Sequence, residues 1–185
     1  MIAGGEITEI VGARSSGRTS LLVRCLADVT RAGGIATLID TDDVFDVAGA
    51  ARAGVELRRL LWVRCGDRRS AALRAVDALA RCRGFSLVAW DVGDVPPRLA
   101  LAAAFRLKLA ARQSGAAVLI VSPRRIAGAA AMLAVEARPC APRWDGVPPR
   151  ARRLAGMRST VQVLRARGSR TPTTEAWDLE AVEEV

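Results

Sequence analysis

The chain contains no histidine and no tyrosine, and its 28 basic residues include a single lysine, Lys108. Without imidazole, histidine-based acid–base catalysis is excluded and a zinc site is not expected. The four cysteines, Cys25, Cys65, Cys82 and Cys140, stand far apart with no Cys-x-x-Cys pair. They read as buried structural thiols of a reducing compartment. No apolar run reaches the ~18 residues of a membrane span. The opening residues, Met-Ile-Ala-Gly-Gly-Glu, lack the basic and apolar stretches of a secretory signal. The expectation is a cytoplasmic protein with no membrane partner.

What is present is apolar surface and arginine. Hydrophobic residues make up 51% of 185 residues, enough for a folded domain with a real core. The net charge of +9 is distributed unevenly. Residues 1–123 carry 17 basic and 12 acidic groups, and residues 124–170 carry 11 arginines against Glu136 and Asp145. Residues 171–185 carry five acids and no base. A basic stretch of this kind points to a polyanionic partner.

Apolar runs alternate with amphipathic ones. Strands are expected at residues 6–11, 35–40, 60–64, 85–91 and 116–122. Helices are expected at 18–31, 47–53, 69–82 and 98–113, the last opened by Pro96-Pro97. This alternation predicts an α/β fold with a parallel sheet covered on both faces. Residues 130–137 and 159–166 read as two further strands that extend the sheet antiparallel at one edge. The link between them, rich in proline and arginine, reads as an exposed loop. The acidic end, with Trp177, Leu179, Val182 and Val185, reads as a short helix.

Gly12-Ala-Arg-Ser-Ser-Gly-Arg-Thr19 joins the first strand to the first helix. Its spacing is that of a phosphate-binding loop, Gly-x4-Gly-Lys-Ser/Thr, with Arg18 where lysine is required. Gly12 and Gly17 permit the tight wrap that aims backbone N–H groups at an anion. Thr19 stands at the magnesium-binding position, and Asp91, closing the apolar strand 85–91, is the acid expected opposite it. A second acidic cluster, Asp40-Thr-Asp-Asp43, closes the second strand. Arginine and lysine are not interchangeable at such a site. Three readings therefore stand side by side: a junction that binds no nucleotide, binding without useful turnover, and an ATPase.

These residues resemble a known family. Glu9-Ile-Val-Gly-Ala-Arg-Ser-Ser-Gly-Arg-Thr-Ser-Leu is similar to the RecA phosphate loop, Glu-Ile-Tyr-Gly-Pro-Glu-Ser-Ser-Gly-Lys-Thr-Thr-Leu. Leu38-Ile-Asp-Thr-Asp42 resembles the RecA strand leading to its catalytic glutamate, and Asp42 falls at that position. Ala53-Gly-Val-Glu-Leu-Arg-Arg-Leu-Leu61 and Val161-Gln-Val-Leu-Arg-Ala-Arg167 resemble later RecA segments, in the same order. The resemblance implies a RecA-like three-layer α/β/α core over residues 1–170. Its central sheet is largely parallel, with antiparallel edge strands, and an acidic tail follows at 171–185.

The departures form a set. Lysine is Arg18, the glutamate is Asp42, and Pro123 stands where RecA carries a γ-phosphate-sensing glutamine. No aromatic stacks on adenine, the first DNA loop shrinks to about residues 92–97, and the filament-forming arm has no counterpart. With these losses the chain resembles the ImuA family, RecA-like accessory proteins of the bacterial translesion mutasome. That resemblance implies three partners: DNA, an ImuB-like inactive Y-family polymerase, and an error-prone replicative-type polymerase. It implies no catalysis, no required cofactor (ATP with magnesium being doubtful) and a place at the nucleoid. The DNA contacts expected are Arg124, Arg125, Arg143, Trp144, Arg150, Arg152, Arg153, Arg165 and Arg167. Arginines interleaved with an aromatic suit backbone and base-stacking contacts without sequence preference.

Overall fold

In the computed structural model the chain is described over residues 2–146, 153–166 and 174–180, the last of these as backbone. Five short apolar strands build the centre: β1 (Ile7–Val11), β2 (Ile35–Asp40), β3 (Leu60–Arg64), β4 (Phe85–Asp91) and β5 (Ala117–Ser122). Their order is β3-β2-β4-β5-β1, and every neighbouring pair is parallel. Parallel strands require crossovers, and the helices α1 (Arg18–Arg31), α2 (Val47–Arg52), α3 (Arg69–Arg81) and α4 (Leu101–Ser114) supply them.

The period-2 geometry of the strands divides the core in two. Leu21, Leu22 and Leu26 of α1 pack with Ile10, Leu38, Leu87, Ala89 and Leu119 on one face. Val76 and Ala80 of α3 and Ala104 and Leu107 of α4 pack with Ile7, Val88, Trp90, Val118 and Ile120 on the other. The result is the three-layer α/β/α arrangement expected from the strand–helix alternation. Among the described residues no helix is long and apolar enough to cross a membrane.

Three expectations need correction. First, residues 133–145 form one long strand, β6 (Leu133–Asp145), which pairs parallel to β1 along Leu133–Glu136. The antiparallel extension begins only at β7 (Arg153–Ala166), which pairs with β6 from Leu133↔Ala166 to Asp145↔Arg153. Second, most of the expected exposed loop therefore belongs to a long β-hairpin. Its prolines mislead because a strand tolerates proline where the ladder is interrupted. Here the register shifts between Pro139 and Ala141, beside the Pro142↔Met157 pair. Third, the tail expected to be helical forms β8 (Thr174–Glu180), antiparallel to β7. The sheet of described strands runs β3-β2-β4-β5-β1-β6-β7-β8.

The cysteines also divide. Cys25 and Cys65 are buried, whereas Cys82 and Cys140 are exposed thiols. Burial pushes the Cys25 thiol up to about 11, which leaves it protonated and inert at neutral pH.

Candidate functional site

The carboxyl ends of β1, β2 and β4 open together, and the turn after β1 is the phosphate-loop sequence. Gly12 is fixed there by close approach: a Cβ on it would stand 2.3 Å from Ser16 Oγ and 2.7 Å from the Ala137 carbonyl of β6. Gly12→Ala should cost about 1–3 kcal/mol through that overlap, read as a lower midpoint in urea unfolding. Ser15 adopts a left-handed φ of 57° and Gly17 one of 90°, and α1 begins at Arg18. Strand, wrapped loop and helix N-terminus thus follow in the order an anion cradle needs.

The cradle's cation is already engaged. Arg18 is 8% exposed. Its Nη1 donates to the Gly12 carbonyl oxygen at 2.7 Å, and its Nη2 donates to Asp94 Oδ1 at 2.6 Å. Arg14 takes the other oxygen of the same carboxylate, donating from Nε to Asp94 Oδ2 at 2.5 Å. The Arg14 hydrogen bond, then that of Arg18, holds the Asp94 carboxyl below its usual range.

The two sequence-predicted acids stand at the same rim. Asp42 accepts from Arg69 Nη2 at 3.3 Å and from the Asp94 backbone N–H at 3.1 Å. Asp91 accepts from the Gly93 N–H at 3.0 Å. Thr19 is exposed. A cavity of about 680 Å³ lies over these groups, walled on one side by Arg14–Ser20 and on the other by Leu154, Gly156, Met157 and Ser159 of β7. The hairpin therefore reaches back over the phosphate loop.

Burial pushes the Asp91 carboxyl up, against the pull of the Gly93 N–H and Arg18. The folded state then holds a proton at pH values where the unfolded chain has lost it. This carboxylate lowers stability as pH rises through the window that opens above about 3.9. Asp91→Asn keeps an acceptor for Gly93 and removes the charge. Its melting temperature should exceed the parent's at neutral pH, with the gap closing in scans near pH 4.

The structure scatters the arginines predicted to meet DNA. Arg124 lies beyond the end of β5 and donates from Nη2 to the Pro96 carbonyl at 3.3 Å. Arg125 turns inward, donating to Glu9 Oε2 at 3.3 Å and to the Gly128 carbonyl at 2.8 Å. Arg143 and the half-exposed Trp144 lie on the distal part of β6. Arg153 opens β7, paired with Asp145. Arg165, opposite Ala134 in the ladder, is partly buried, and its Nε has no hydrogen-bond partner among the described residues. Arg150, Arg152 and Arg167 lie outside the described residues. The hairpin thus brings Arg143, Trp144 and Arg153 to one end of the β6–β7 ladder, while Arg124 sits by the 92–97 loop.

Two groups escaped the sequence reading. One is Asp94, in a segment read only as a shortened loop. The other is Glu9, fully buried on β1, whose Oε1 accepts from the backbone N–H groups of Ile126 at 2.6 Å and Ala127 at 2.7 Å. An acid inside the apolar run Ile7–Val11 is itself the signal for such a bond, since a buried carboxylate is retained only with donors.

With the loop, the sheet order and the hairpin in view, residues 2–126 match the family described as the RecA N-terminal domain. The chain belongs to that family. It is 37% identical over 87 residues to Protein RecA of Bacteroides thetaiotaomicron, across 47% of this chain and 26% of that protein. It is 38% identical over 95 residues to Protein RecA of Prochlorococcus marinus MIT 9211, across 51% and 26%. It is also 38% identical over 96 residues to the mitochondrial DNA repair protein recA homolog of Dictyostelium discoideum, across 51% and 21%. The matched stretch spans about a quarter or less of these relatives' lengths. Within this RecA-family domain the phosphate loop keeps its place at the end of β1, and its cation is bonded within the chain.

Proposed function

We propose that this RecA-family domain is a non-catalytic, DNA-binding accessory factor in the DNA damage response. It holds DNA with little sequence preference during translesion synthesis. Its protein partners in this reading are an ImuB-like inactive Y-family polymerase and an error-prone replicative-type polymerase, at the nucleoid of the cytoplasm. The Dictyostelium relative, named as a DNA repair protein, supports the general setting. The ImuA-like pattern of departures supports the narrower one.

One observation carries the non-catalytic reading. Arg18, at the lysine position, is bonded to Gly12 and Asp94, while Asp42, at the position of the catalytic glutamate, is bonded to Arg69 and the Asp94 N–H. Arranged so, the Arg18 guanidinium is committed to protein acceptors at the position where a lysine would meet a nucleotide's phosphates.

The second reading, a small RecA-type ATPase, is favoured by the preserved loop spacing and by Asp91 at the cavity rim. Salt titration of DNA binding by fluorescence anisotropy tests the accessory-factor reading. Binding without nucleotide that weakens steeply with salt is expected. DNA binding absent at low salt would overturn it.

A further inference from the structure

The loop after β4 sets a carboxylate against both arginines of the phosphate-loop sequence. We infer that Asp94 is a built-in occupant of the phosphate loop, a gate residue that keeps nucleotide phosphates out by holding Arg14 and Arg18 to itself. The inference rests on the reading of the loop as closed, and it names the residue that closes it.

The geometry is that of an anion bound between two forks. Asp94 presents Oδ1 to Arg18 Nη2 at 2.6 Å, and Oδ2 to both Nε and Nη2 of Arg14. Paired guanidinium groups hold a carboxylate and a phosphate oxygen pair with the same planar donors, so the two anions compete for one set of N–H groups. Arg18 also donates to Gly12 O at 2.7 Å, which turns the guanidinium back onto the loop's own backbone. A phosphate entering the cradle must therefore break the Asp94 pairs and meet a carboxylate at close range.

The gate is attached to the fold on several sides. The Asp94 N–H is held by Asp42. Arg69 Nε donates to the Val95 carbonyl at 2.8 Å, and Arg124 donates to that of Pro96. Gly93, just before it, has a φ of 79°, and a Cβ there would stand 2.0 Å from Asp42 Oδ2. That close fit sets the loop's path and aims Asp94 at the two arginines. Arg14 remains 83% exposed and Asp94 33% exposed, so the pair is open to exchange with a stronger anion.

The test is pyrophosphate binding by isothermal titration calorimetry, with the full chain, for the parent, Asp94→Asn and the double variant Asp94→Asn/Arg18→Ala. Each is first checked by thermal melting to be folded. Removing one negative charge within hydrogen-bond distance of the incoming anion should tighten binding by about tenfold or more. That gain should vanish in the double variant. Asp94→Asn binding no tighter than the parent overturns the inference, as does a gain that survives loss of Arg18. DNA binding of the same proteins, measured without nucleotide, reports on the accessory-factor reading separately. A failed gate with intact DNA binding leaves that reading standing.

Discussion

Replacing Glu9 with alanine should lower the unfolding free energy by about 2–4 kcal/mol, because it leaves two backbone N–H donors of the turn after β5 without their acceptor. Glu9 is 0% exposed, on the face of β1 that points toward the α3–α4 side of the sheet with Ile7. Its Oε1 receives the Ile126 and Ala127 N–H groups, and Oε2 receives Arg125. Truncation strands the Ile126 and Ala127 N–H groups, leaves Arg125 only its bond to the Gly128 carbonyl, and opens a void. Glu9→Gln retains one acceptor oxygen for the two N–H groups, so it should lose about half as much. Chemical unfolding in urea reads both. The β5–β6 connection carries Arg124, so Glu9→Ala should also weaken DNA binding, although Glu9 itself is fully buried. Equal stability of all three proteins would show that Glu9 does not hold this turn.

The second large effect concerns ionic strength. If about six phosphates are neutralised, DNA affinity should fall by roughly 10³-fold between 50 and 200 mM salt, because each neutralised phosphate releases counterions. Replacing Arg143 and Arg124 with alanine should each reduce the logarithmic slope by about one. Arg125→Ala should leave that slope nearly unchanged, since its guanidinium is directed to Glu9 and the Gly128 carbonyl. Trp144→Ala should weaken single-stranded binding by ~1–3 kcal/mol if a base stacks on the indole, with a smaller effect on duplex. A slope that ignores all the arginine substitutions would place the DNA elsewhere on the chain. These outcomes separate an arginine that faces a polyanion from one that faces its own protein.

The parallel core was legible because its signals are local. The strand Ala117–Ser122 is buried along its whole length and the helix Arg18–Arg31 buries a spaced stripe, and both patterns are visible within a dozen residues. The β6–β7 hairpin was not legible. Pro139 and Pro142 argue locally for a loop, and only pairing with Ser159 and Met157 outweighs them. The tail failed for the same reason: β8 is a strand because β7 offers it an edge, not because its residues prefer extension.

At the candidate site, the loop and its neighbouring acids were readable by spacing, but their bonding was not. Arg18 meets Asp94 across 76 residues and Glu9 meets Ala127 across 118. Only the folded sheet brings such partners together. Arg125 shows the converse. In the sequence it is one more basic residue of a basic stretch, and in the fold it is the counter-ion of a buried acid.

In the proposed reading this RecA-family domain holds DNA without the help of nucleotide, because the arginines of its phosphate loop are held by its own Asp94 and Gly12. The most direct measurement is the dissociation constant for a labelled single-stranded DNA, by fluorescence anisotropy at one fixed salt concentration, with and without ATP and magnesium. The same value, within about twofold, is expected in both conditions. Affinity that rises tenfold or more when ATP and magnesium are added would contradict it, and would mean that Arg18 releases Asp94 to hold a nucleotide.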